Sequence, residues 1–342
     1  MDTPPLEPGL RWVGRVDDNT AAAVRFAWQG AGFVAHVRGS AIRVKLRTEN
    51  TETVFFQPVI DNEPTKRFEV RAGADREITL GSGLDDSEHR VELYRDTEGS
   101  YGVSVFLGFT AGTVLAPPAN PKRSIEVIGD SISAGYGNLG SEPHPNGVAT
   151  PACGWTAENS TWYQTYGAIA GHALGAEVST IACSGWGMSR DYSGNTANVL
   201  PAVYDNALGM SSNDEWSFDT QPNVVVINLG TNDWSAGDPG TSYESAYSTF
   251  LKHVREVYPD AWLFLTIGST FPADKLAQVS ARLETVVNAR VQNGDLKITT
   301  FDLGSQDVRD GMATGCGWHP NVVDHRRMAE ILKKQLSMRL GW

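Results

Sequence analysis

The chain has 342 residues, and its 40 acidic side chains outnumber its 28 Lys and Arg residues, which gives a formal net charge of −12 at pH 7. This acidic balance argues against nucleic acid or an anionic membrane surface as a partner, because both attract basic patches. A composition of 41% hydrophobic and 20% charged residues excludes disordered, coiled-coil and collagen-like chains. At about 150 residues per domain, the length predicts two globular domains.

No apolar run approaches the roughly 18 residues that a membrane-spanning helix needs. The first residues, Met1 to Pro5, lack a basic and an apolar segment, so no signal peptide is expected in this chain; a chain whose signal has been removed begins in the same way. The cysteines Cys153, Cys183 and Cys316 allow one disulfide at most and lack the spacing of metal ligands. The cysteine count alone therefore leaves the compartment open.

Up to about residue 116, apolar residues recur at every second position in several segments, which is typical of half-buried β-strands. Apolar and basic residues alternate over 42–47, and apolar residues occupy every second position from Val103 to Phe109. Turn sequences at 61–64 and 81–83 separate such runs without a helical pattern between them. These features predict an antiparallel β-sandwich over residues 1–118. The Pro-rich stretch from Leu115 to Pro121 marks its boundary, with a linker at 119–123.

Short apolar runs alternate with helical patterns after this boundary, which is typical of a parallel sheet covered by helices. One helical face carries Tyr243, Tyr247, Phe250, Val254 and Val257, and a second near the end carries Met328, Ile331, Leu332 and Leu336. The second domain, residues 124–342, is therefore predicted to be an α/β domain. The predicted strands are Ile125 to Ile128, Val178 to Ala182, Val224 to Leu229, Trp262 to Ile267 and Ile298 to Phe301.

Candidate chemical groups follow three of these strands, and in open α/β sheets ligands bind beyond the carboxyl ends of the strands. Ser131 follows Gly129 and Asp130 after the first strand, at a turn where backbone N–H groups point outward. Its alternative role is that of a helix N-cap. Gly185 follows the second strand, where a glycine lets a backbone amide approach a ligand, although such a turn is more often structural.

Two further candidates lie later in the chain. Asn232 follows the third strand and supplies an amide donor, while Asn in such a loop more often caps or turns the backbone. His319 stands between Trp318 and Pro320 just before the last amphipathic helix. It is a candidate general base, although most lone histidines have no such role.

Together these four signals, in chain order, resemble the four blocks of the SGNH, or GDSL-type, hydrolases. The blocks are Gly129-Asp130-Ser131, Gly185, Gly230-Thr231-Asn232-Asp233 and His319. A β-rich domain ahead of an SGNH domain resembles carbohydrate esterase family 2, as do Glu158-Asn159-Ser160 and Gly317-Trp318-His319-Pro320. The resemblance covers the whole chain and implies that the first domain is a jelly roll.

The sequence departs from the wider superfamily before the histidine. SGNH enzymes place an aspartate three residues ahead of it, but Cys316 stands at that position here. Some family 2 esterases let a backbone carbonyl orient the histidine, so the resemblance implies a Ser131–His319 dyad. A carbonyl accepts the Nδ1–H bond as an aspartate does, but it brings no negative charge. An aspartate from elsewhere in the chain is the alternative.

The resemblance implies a serine esterase that removes acetyl groups from plant cell-wall polysaccharides through an acyl-enzyme. Ser131 is the nucleophile, His319 is the base, and the oxyanion is met by the Ser131 and Gly185 amides and the Asn232 side chain. No metal or organic cofactor is expected. The implied substrates are glucomannan and mannan, with a preference for 6-O-acetyl groups, and also acetylated xylan. An extracellular location follows from such substrates.

Four loop tryptophans flank these blocks, namely Trp155, Trp186, Trp234 and Trp318. Because sugar rings lie flat on aromatic planes, we expect these indoles around the mouth of the site; the alternative is that they fill gaps under loops. Two other functions stay open. One is a carbohydrate-binding protein with a vestigial site, which the missing aspartate favours. The other is a lipase or thioesterase of the same superfamily, which needs an extended apolar acyl pocket.

The cysteines offer a further expectation. Cys153 and Cys316 both occur as Cys-Gly-Trp in loops beside the expected site. A bridge between them would brace the His319 loop against the loop after the nucleophile's helix, and it would favour an oxidising compartment. Cys183 ends an apolar strand and is expected to be a buried free thiol. Three reduced cysteines are the alternative.

Overall fold

The computed structural model describes residues 9–20, 23–49, 52–140, 153–211, 215–305 and 314–342. The chain forms two compact units, one combining the residues up to Pro121 with Asn206–Trp216, and the other combining Lys122–Asp205 with Ser217–Trp342. The sequence analysis placed residues 206–216 in the second domain, whereas in the structure they group with the first unit.

The first unit is antiparallel throughout its described strand pairs. Its strands pair in the order β2-β3-β10-β4-β9-β5-β6, with β1 and β8 also on β4, and β7 also on β5. The strands are β1 (Leu10–Val13), β2 (Asp17–Thr20), β3 (Ala23–Phe26), β4 (Gly32–Glu49), β5 (Thr53–Ile60), β6 (Glu63–Pro64), β7 (Phe68–Arg71), β8 (Arg76–Ser82), β9 (Glu88–Arg95) and β10 (Val103–Val114). The prediction of an antiparallel first domain is therefore confirmed.

The core of this unit forms along β4 and β10. Ile42, Val44 and Leu46 are fully buried on β4, and the basic residues between them are not, so the predicted alternation is confirmed there. On β10 the alternation fails, because both Val105 and Phe106 are buried. This strand lies between β3 and β4, and its register against β4 shifts after Phe106, which changes the face that later residues present.

The predicted turn at 61–64 is a two-residue hairpin. Ile60 on β5 pairs with Glu63 on β6. The two residues between them, Asp61 and Asn62, have φ values of 53° and 69°. Two consecutive left-handed residues are the signature of the hairpin turn that matches strand twist, and Asp and Asn tolerate this conformation better than other side chains do.

The segment Asn206–Trp216 contributes to the first unit through hydrogen bonds and apolar contacts. Its Asn206 carbonyl accepts a bond of 3.0 Å from the Trp28 indole N–H and one of 3.3 Å from the Arg15 guanidinium. Leu208 is buried in a small apolar cluster with Ala27. The alternation and helix patterns used to divide the sequence carry no signal for such a crossing, because it depends on tertiary packing.

The second unit is a parallel sheet with covering helices, as predicted. Its five described strands run in the order β12-β11-β13-β14-β15, and every predicted strand is present. The helix α2 packs against α6, and α4 packs against α5. The sequence analysis did not identify α5. The elements are β11 (Ser124–Gly129), α1 (Ser131–Ala134), α2 (Tyr166–Ala173), β12 (Glu177–Ala182), β13 (Val224–Asn228), α3 (Thr231–Ser235), α4 (Thr241–Val257), β14 (Trp262–Ser269), α5 (Ala273–Gln292), β15 (Ile298–Ser305) and α6 (Val322–Leu340).

The strand order determines where a site can form. The first strand of this sheet, β11, lies between β12 and β13. The chain therefore runs from β11 to β12 on one side and then crosses back to β13 on the other side. The carboxyl ends of β11 and β13 flank this change of direction, which is the usual place of a binding crevice in open α/β sheets. Among the described residues, none of the helices is long and apolar enough to cross a membrane.

Candidate active site

The turn after β11 presents Ser131 at the first position of α1. Asp130 is the N-cap of this helix, and its carboxylate accepts the Ile132 N–H at 3.0 Å. Gly129 lies against the Ser133 side chain and leaves no room for a Cβ. Each residue of the Gly-Asp-Ser block thus has a local role: the glycine permits close packing, the aspartate caps the helix, and the serine points its hydroxyl outward from the cap.

His319 faces this hydroxyl. Its Nε2 lies 2.7 Å from Ser131 Oγ. Its Nδ1 lies 2.9 Å from the Gly317 carbonyl oxygen and 3.2 Å from that of Cys316, where the sequence analysis expected a carbonyl. When Nδ1 carries the proton and donates it to these carbonyls, Nε2 is left as an acceptor for the serine hydroxyl. This is the tautomer that a general base for Ser131 requires.

An aromatic ring restricts the imidazole on another side. Tyr136, one residue beyond the glycine that ends α1, lies edge-on to the His319 ring, with centroids 4.5 Å apart and an interplanar angle of 66°. Such a contact limits rotation of the imidazole without adding charge. The sequence analysis missed Tyr136, although its position close behind Ser131 offered a signal.

The disulfide expected from the sequence is present. Cys153 and Cys316 are bonded, with Cα atoms 5.0 Å apart and a sequence separation of 163. Cys183 is a free, buried cysteine, as predicted. The bridge ends at the residue whose carbonyl faces His319 Nδ1, so the segment carrying the histidine is covalently fixed.

Three N–H donors surround the space beside Ser131 Oγ. Gly185 has a φ of 80°, a left-handed conformation that glycine adopts without strain. Asn232 is 7% exposed, and its side-chain nitrogen donates to the Trp186 carbonyl at 2.8 Å and lies 3.5 Å from Asp130 Oδ2, which together fix the amide beside Ser131. Within the described residues, the backbone N–H groups of Ser131 and Gly185 donate no hydrogen bond to another residue. The geometry therefore suits an oxyanion site.

Asp233 holds the loop that follows Gly185. One carboxylate oxygen accepts the Met188 N–H at 2.9 Å, and the other accepts the N–H groups of Ser189 at 2.6 Å and Arg190 at 3.2 Å. Burial raises the pKa of Asp233, and these donors act against that shift. The sequence analysis included Asp233 in its third block without giving it a role; its place next to Asn232 was the signal.

The four candidate tryptophans separate into two groups. Trp155 is 59% exposed and Trp318 is 47% exposed, and both line space next to Ser131 and His319. Trp234 is only 3% exposed and packs edge-on against Tyr243 at 4.5 Å, so the expectation that it lies at the mouth of the site does not fit its burial. Trp186 is half-buried and meets the site through its carbonyl rather than its indole.

Two clefts meet at Ser131, Asn232, Gly317 and His319. The first, here called the Tyr192 cleft, has a volume of about 510 Å³ and is also lined by Tyr136, Trp155, Ser184, Gly185 and Tyr192. The second, here called the Phe271 cleft, has a volume of about 630 Å³ and is also lined by Thr231, Ser269, Thr270, Phe271, Pro272, Ala273, Ser305, Thr314 and Trp318.

Tyr192 is a further residue that the sequence analysis missed. It is 65% exposed, its backbone N–H donates to the Gly185 carbonyl at 2.9 Å, and its ring covers Gly185. It lies in the loop that follows β12, and nothing in the sequence around it indicated a role at the site. Among the described residues, no group of three or more His, Cys, Asp or Glu side chains is placed to hold a metal ion.

Models of two protein families match the chain. The model described as carbohydrate esterase 2 N-terminal matches residues 12–118. The model of the GDSL-like lipase/acylhydrolase family matches residues 127–327, which include Ser131, Gly185, Asn232 and His319. The two matches follow one another along the chain in the arrangement expected from the sequence.

Individual relatives show the same arrangement. The cellulase/esterase CelE of Acetivibrio thermocellus is 33% identical over 339 residues, which cover 98% of this chain but 40% of that protein. An acetylxylan esterase/glucomannan deacetylase of Cellvibrio japonicus is 26% identical, with 98% of this chain and 90% of that protein covered. A solved structure of a family two carbohydrate esterase from Clostridium thermocellum in complex with cellohexaose is 33% identical, with a TM-score of 0.89 and coverage of 98% of this chain and 100% of that one.

Proposed function

Because the chain belongs to carbohydrate esterase family 2, we propose that it removes O-acetyl groups from the plant cell-wall polysaccharides glucomannan, mannan and xylan. The observation that carries this proposal is the contact of 2.7 Å between His319 Nε2 and Ser131 Oγ beside two clefts. The name of the Cellvibrio relative, acetylxylan esterase/glucomannan deacetylase, supports the choice of substrates. We expect a preference for 6-O-acetyl groups.

Acyl transfer from the sugar to Ser131 is the first chemical step. His319 Nε2 takes the hydroxyl proton while Ser131 Oγ attacks the acetyl carbonyl. The imidazolium then gives this proton to the departing sugar oxygen, which leaves an acetyl group on Ser131. In the second step, His319 takes a proton from water while the water oxygen attacks the acetyl-enzyme, and the imidazolium then gives this proton to the departing Ser131 Oγ, which releases acetate and restores the serine hydroxyl. The carbonyl oxygens of Cys316 and Gly317 accept the Nδ1–H bond and keep Nε2 directed at the serine.

The negative charge of the tetrahedral intermediate is met by three donors. These are the backbone N–H groups of Ser131 and Gly185 and the side-chain N–H of Asn232 that points toward Asp130 at the long distance of 3.5 Å, which the oxyanion would take over. Because the donors are held in place before the reaction, they stabilise the transition state without reorganisation, and removal of one such donor costs on the order of 10²–10³ in kcat. No metal or organic cofactor takes part in this mechanism.

The glycan is proposed to lie against exposed rings on the two sides of Ser131. Trp155 and Tyr192 line one cleft, and Trp318 lines the other. Flat sugar faces stack on such rings. An acetylated unit within a polysaccharide has a sugar on each side, so the glycan needs space on both sides of Ser131. The disulfide supports an extracellular location, because disulfides persist in oxidising compartments.

The test is an NMR time course of acetate release from acetylated glucomannan, mannan and xylan, together with hydrolysis of p-nitrophenyl acetate and octanoate. We expect loss of 6-O-acetyl signals from the mannan substrates and slower turnover of octanoate than of acetate. Faster turnover of octanoate would make the protein a lipase. Glycan binding without acetate release would make it a binding protein.

A matched pair of variants connects this activity to the site. Ser131→Ala removes the nucleophile and is expected to lower kcat by about three orders of magnitude or more. Ser133→Ala is the control, because Ser133 Oγ is engaged with the Tyr166 hydroxyl at 2.9 Å and is buried away from the substrate. Activity retained by Ser131→Ala and lost by Ser133→Ala would contradict the assignment of the nucleophile.

A further inference from the structure

The segment that carries His319 is joined to the loop following the nucleophile's helix at three points. Cys316 N–H donates to the Gly137 carbonyl at 2.9 Å, and Val322 N–H donates to the Asn138 carbonyl at 3.1 Å. The third point is covalent, since Cys316 is bonded to Cys153. The distance between His319 and Ser131 therefore depends on this junction.

The disulfide lies directly behind the histidine's hydrogen-bond acceptors. Cys316 is fully buried, and its carbonyl is one of the two that face His319 Nδ1. A Cβ on Gly140 would lie 2.9 Å from Cys153 Sγ and still closer to Cys316 Sγ, so the sulfur atoms pack against this backbone. The disulfide is therefore tightly packed beside the Cys316 peptide, whose carbonyl faces His319 Nδ1.

The two residues between the disulfide and the histidine have an unusual backbone. Gly317 has a φ of 60° and Trp318 a φ of 64°. A non-glycine residue in the left-handed region is strained and persists only where the surrounding structure imposes it. Both ends of this segment are held: Cys316 by the disulfide and by its N–H bond to the Gly137 carbonyl, and His319 by its N–H bond to the Cys316 carbonyl.

We propose that the Cys153–Cys316 disulfide is a positioning element for His319, and that the enzyme loses turnover when this bond is reduced. The inference rests on the proposed function in taking Ser131 and His319 as nucleophile and base. Reduction by dithiothreitol breaks the S–S bond, transfers two electrons and two protons to form two thiols, and oxidises the reductant to its cyclic disulfide. Cys316 is then held by its main-chain bonds alone, and the imidazole loses its fixed direction.

The test measures the rate constant for phosphonylation of Ser131 by a p-nitrophenyl alkylphosphonate, with desalted protein and detection of p-nitrophenolate and of the labelled peptide. This reaction needs the serine and its base but no glycan. The Cys153→Ser variant keeps Cys316 and its backbone bonds. Since a misplacement of about 1 Å can cost 10²-fold in rate, we expect a decrease of tenfold or more for this variant and for the reduced wild-type protein.

Cys183→Ala is the matched control, because Cys183 is the buried cysteine outside the bridge. It should keep the wild-type rate when oxidised and should lose it on reduction, whereas Cys153→Ser should not respond to reductant. Far-UV circular dichroism at the assay temperature confirms that every variant is folded. In addition, kcat for p-nitrophenyl acetate should fall in folded Cys153→Ser with little change in KM, which a purely structural bridge does not produce.

The outcomes separate the two proposals. Equal phosphonylation rates for folded wild type, reduced wild type and Cys153→Ser would overturn the positioning role and leave the esterase assignment intact. An equal loss in oxidised Cys183→Ala would also overturn it, since the effect would then not belong to the bridge. Failure of the oxidised wild type to be labelled at Ser131 would overturn the esterase mechanism, and the positioning role with it.

Discussion

The His319 ring is oriented by neutral groups on two sides. Two backbone carbonyls face Nδ1, and the Tyr136 ring lies edge-on to the imidazole. A carbonyl fixes the tautomer of a histidine through the same hydrogen bond that a carboxylate accepts, but it provides less stabilisation when the ring becomes charged. The carbonyls and the Tyr136 ring thus orient the imidazole, and under the proposed mechanism the charge of the transition state is met mainly at the oxyanion donors.

A second histidine lies beneath the site and is kept neutral. His325 is fully buried on α6, and its Nδ1 accepts the Tyr166 N–H at 3.1 Å. Burial lowers the pKa of His325 to about 3, and a charge on His319 lowers it further. The unfolded chain binds a proton at this residue near pH 6.5, whereas the folded protein does not. Protonation therefore favours unfolding as the pH falls from 6.5 toward 3.

We expect His325→Gln to reduce the acid sensitivity of the fold. Stability that depends on a neutral His325 is present above pH 6.5 and decreases as the pH falls, because the unfolded state takes up more protons. The linkage amounts to about 2 kcal/mol between pH 7 and pH 5. Urea unfolding at both pH values measures it. Although the variant is less stable at pH 7, its loss between pH 7 and pH 5 should be smaller than that of wild type, and an equal loss would contradict the buried neutral state.

At the scale of the element, the loop from Gly185 to Arg190 is shaped by α3. Asp233 on α3 accepts three backbone N–H groups of the loop, and the loop's Trp186 carbonyl in turn holds the Asn232 amide. Two of the three proposed oxyanion donors, Gly185 and Asn232, therefore depend on one carboxylate. The Gly-x-Asn-Asp block is thus a structural unit in which the aspartate holds the loop and the loop in turn holds the asparagine, the proposed oxyanion donor.

We expect Asp233→Asn to lower kcat for p-nitrophenyl acetate by about tenfold, because a displaced oxyanion donor costs on the order of 10²–10³ when lost completely. The new NH2 group cannot accept the loop's N–H bonds, so stability should also fall by about 1–3 kcal/mol. Asp238→Asn is the control, since Asp238 is an exposed partner of Arg282 just beyond α3. If Asp233→Asn loses stability but keeps kcat, the loop does not depend on this carboxylate for its catalytic geometry.

Exposed and buried tryptophans should respond differently to truncation. Trp155→Ala removes a ring from the Tyr192 cleft and should lower kcat/KM for acetylated oligosaccharides by about 1 kcal/mol of transition-state binding, with little change for p-nitrophenyl acetate. Trp234→Ala leaves a cavity beside Tyr243 and should lower the free energy of unfolding by about 3–5 kcal/mol. Parallel losses on both substrates in Trp155→Ala would indicate a structural role for this indole.

Elements with a strong period were predictable, and side-chain burial in irregular loops was not. The five parallel strands are short and rich in apolar and β-branched residues, so each was found from sequence. The helix α5 was missed although Leu276, Val279, Leu283 and Val286 mark its buried face. The four chemical blocks were found because glycine, serine and asparagine at strand ends are distinctive. Tyr192 was missed because a loop sequence does not show which side faces solvent, and Trp234 was misjudged because the short helix α3, which buries its indole, was taken for a loop.

At the scale of the whole molecule, the units are interwoven in sequence although each has its own core. The candidate active-site residues all belong to the unit formed by Lys122–Asp205 and Ser217–Trp342. The segment Asn206–Trp216, which interrupts that unit, belongs to the first unit. A linker at 119–123 alone suggests two separable domains. Because Asn206–Trp216 packs in the first unit, however, the stability of that unit also depends on residues far beyond the linker.

We therefore expect Leu208→Ala to destabilise the first unit. Leu208 is 3% exposed in a cluster with Ala27, Ala207, Val103 and Trp216. Removal of a buried leucine side chain costs about 2–5 kcal/mol, through lost burial and the cavity left behind. Urea unfolding measures this loss, and Leu296→Ala is the control, because Leu296 is 72% exposed and its truncation should change stability by less than about 0.5 kcal/mol. Because Leu208 is not part of the site, the folded variant should keep the wild-type kcat for p-nitrophenyl acetate. A loss for Leu208→Ala as small as that of Leu296→Ala would show that Asn206–Trp216 is a surface loop and not part of the first unit's core.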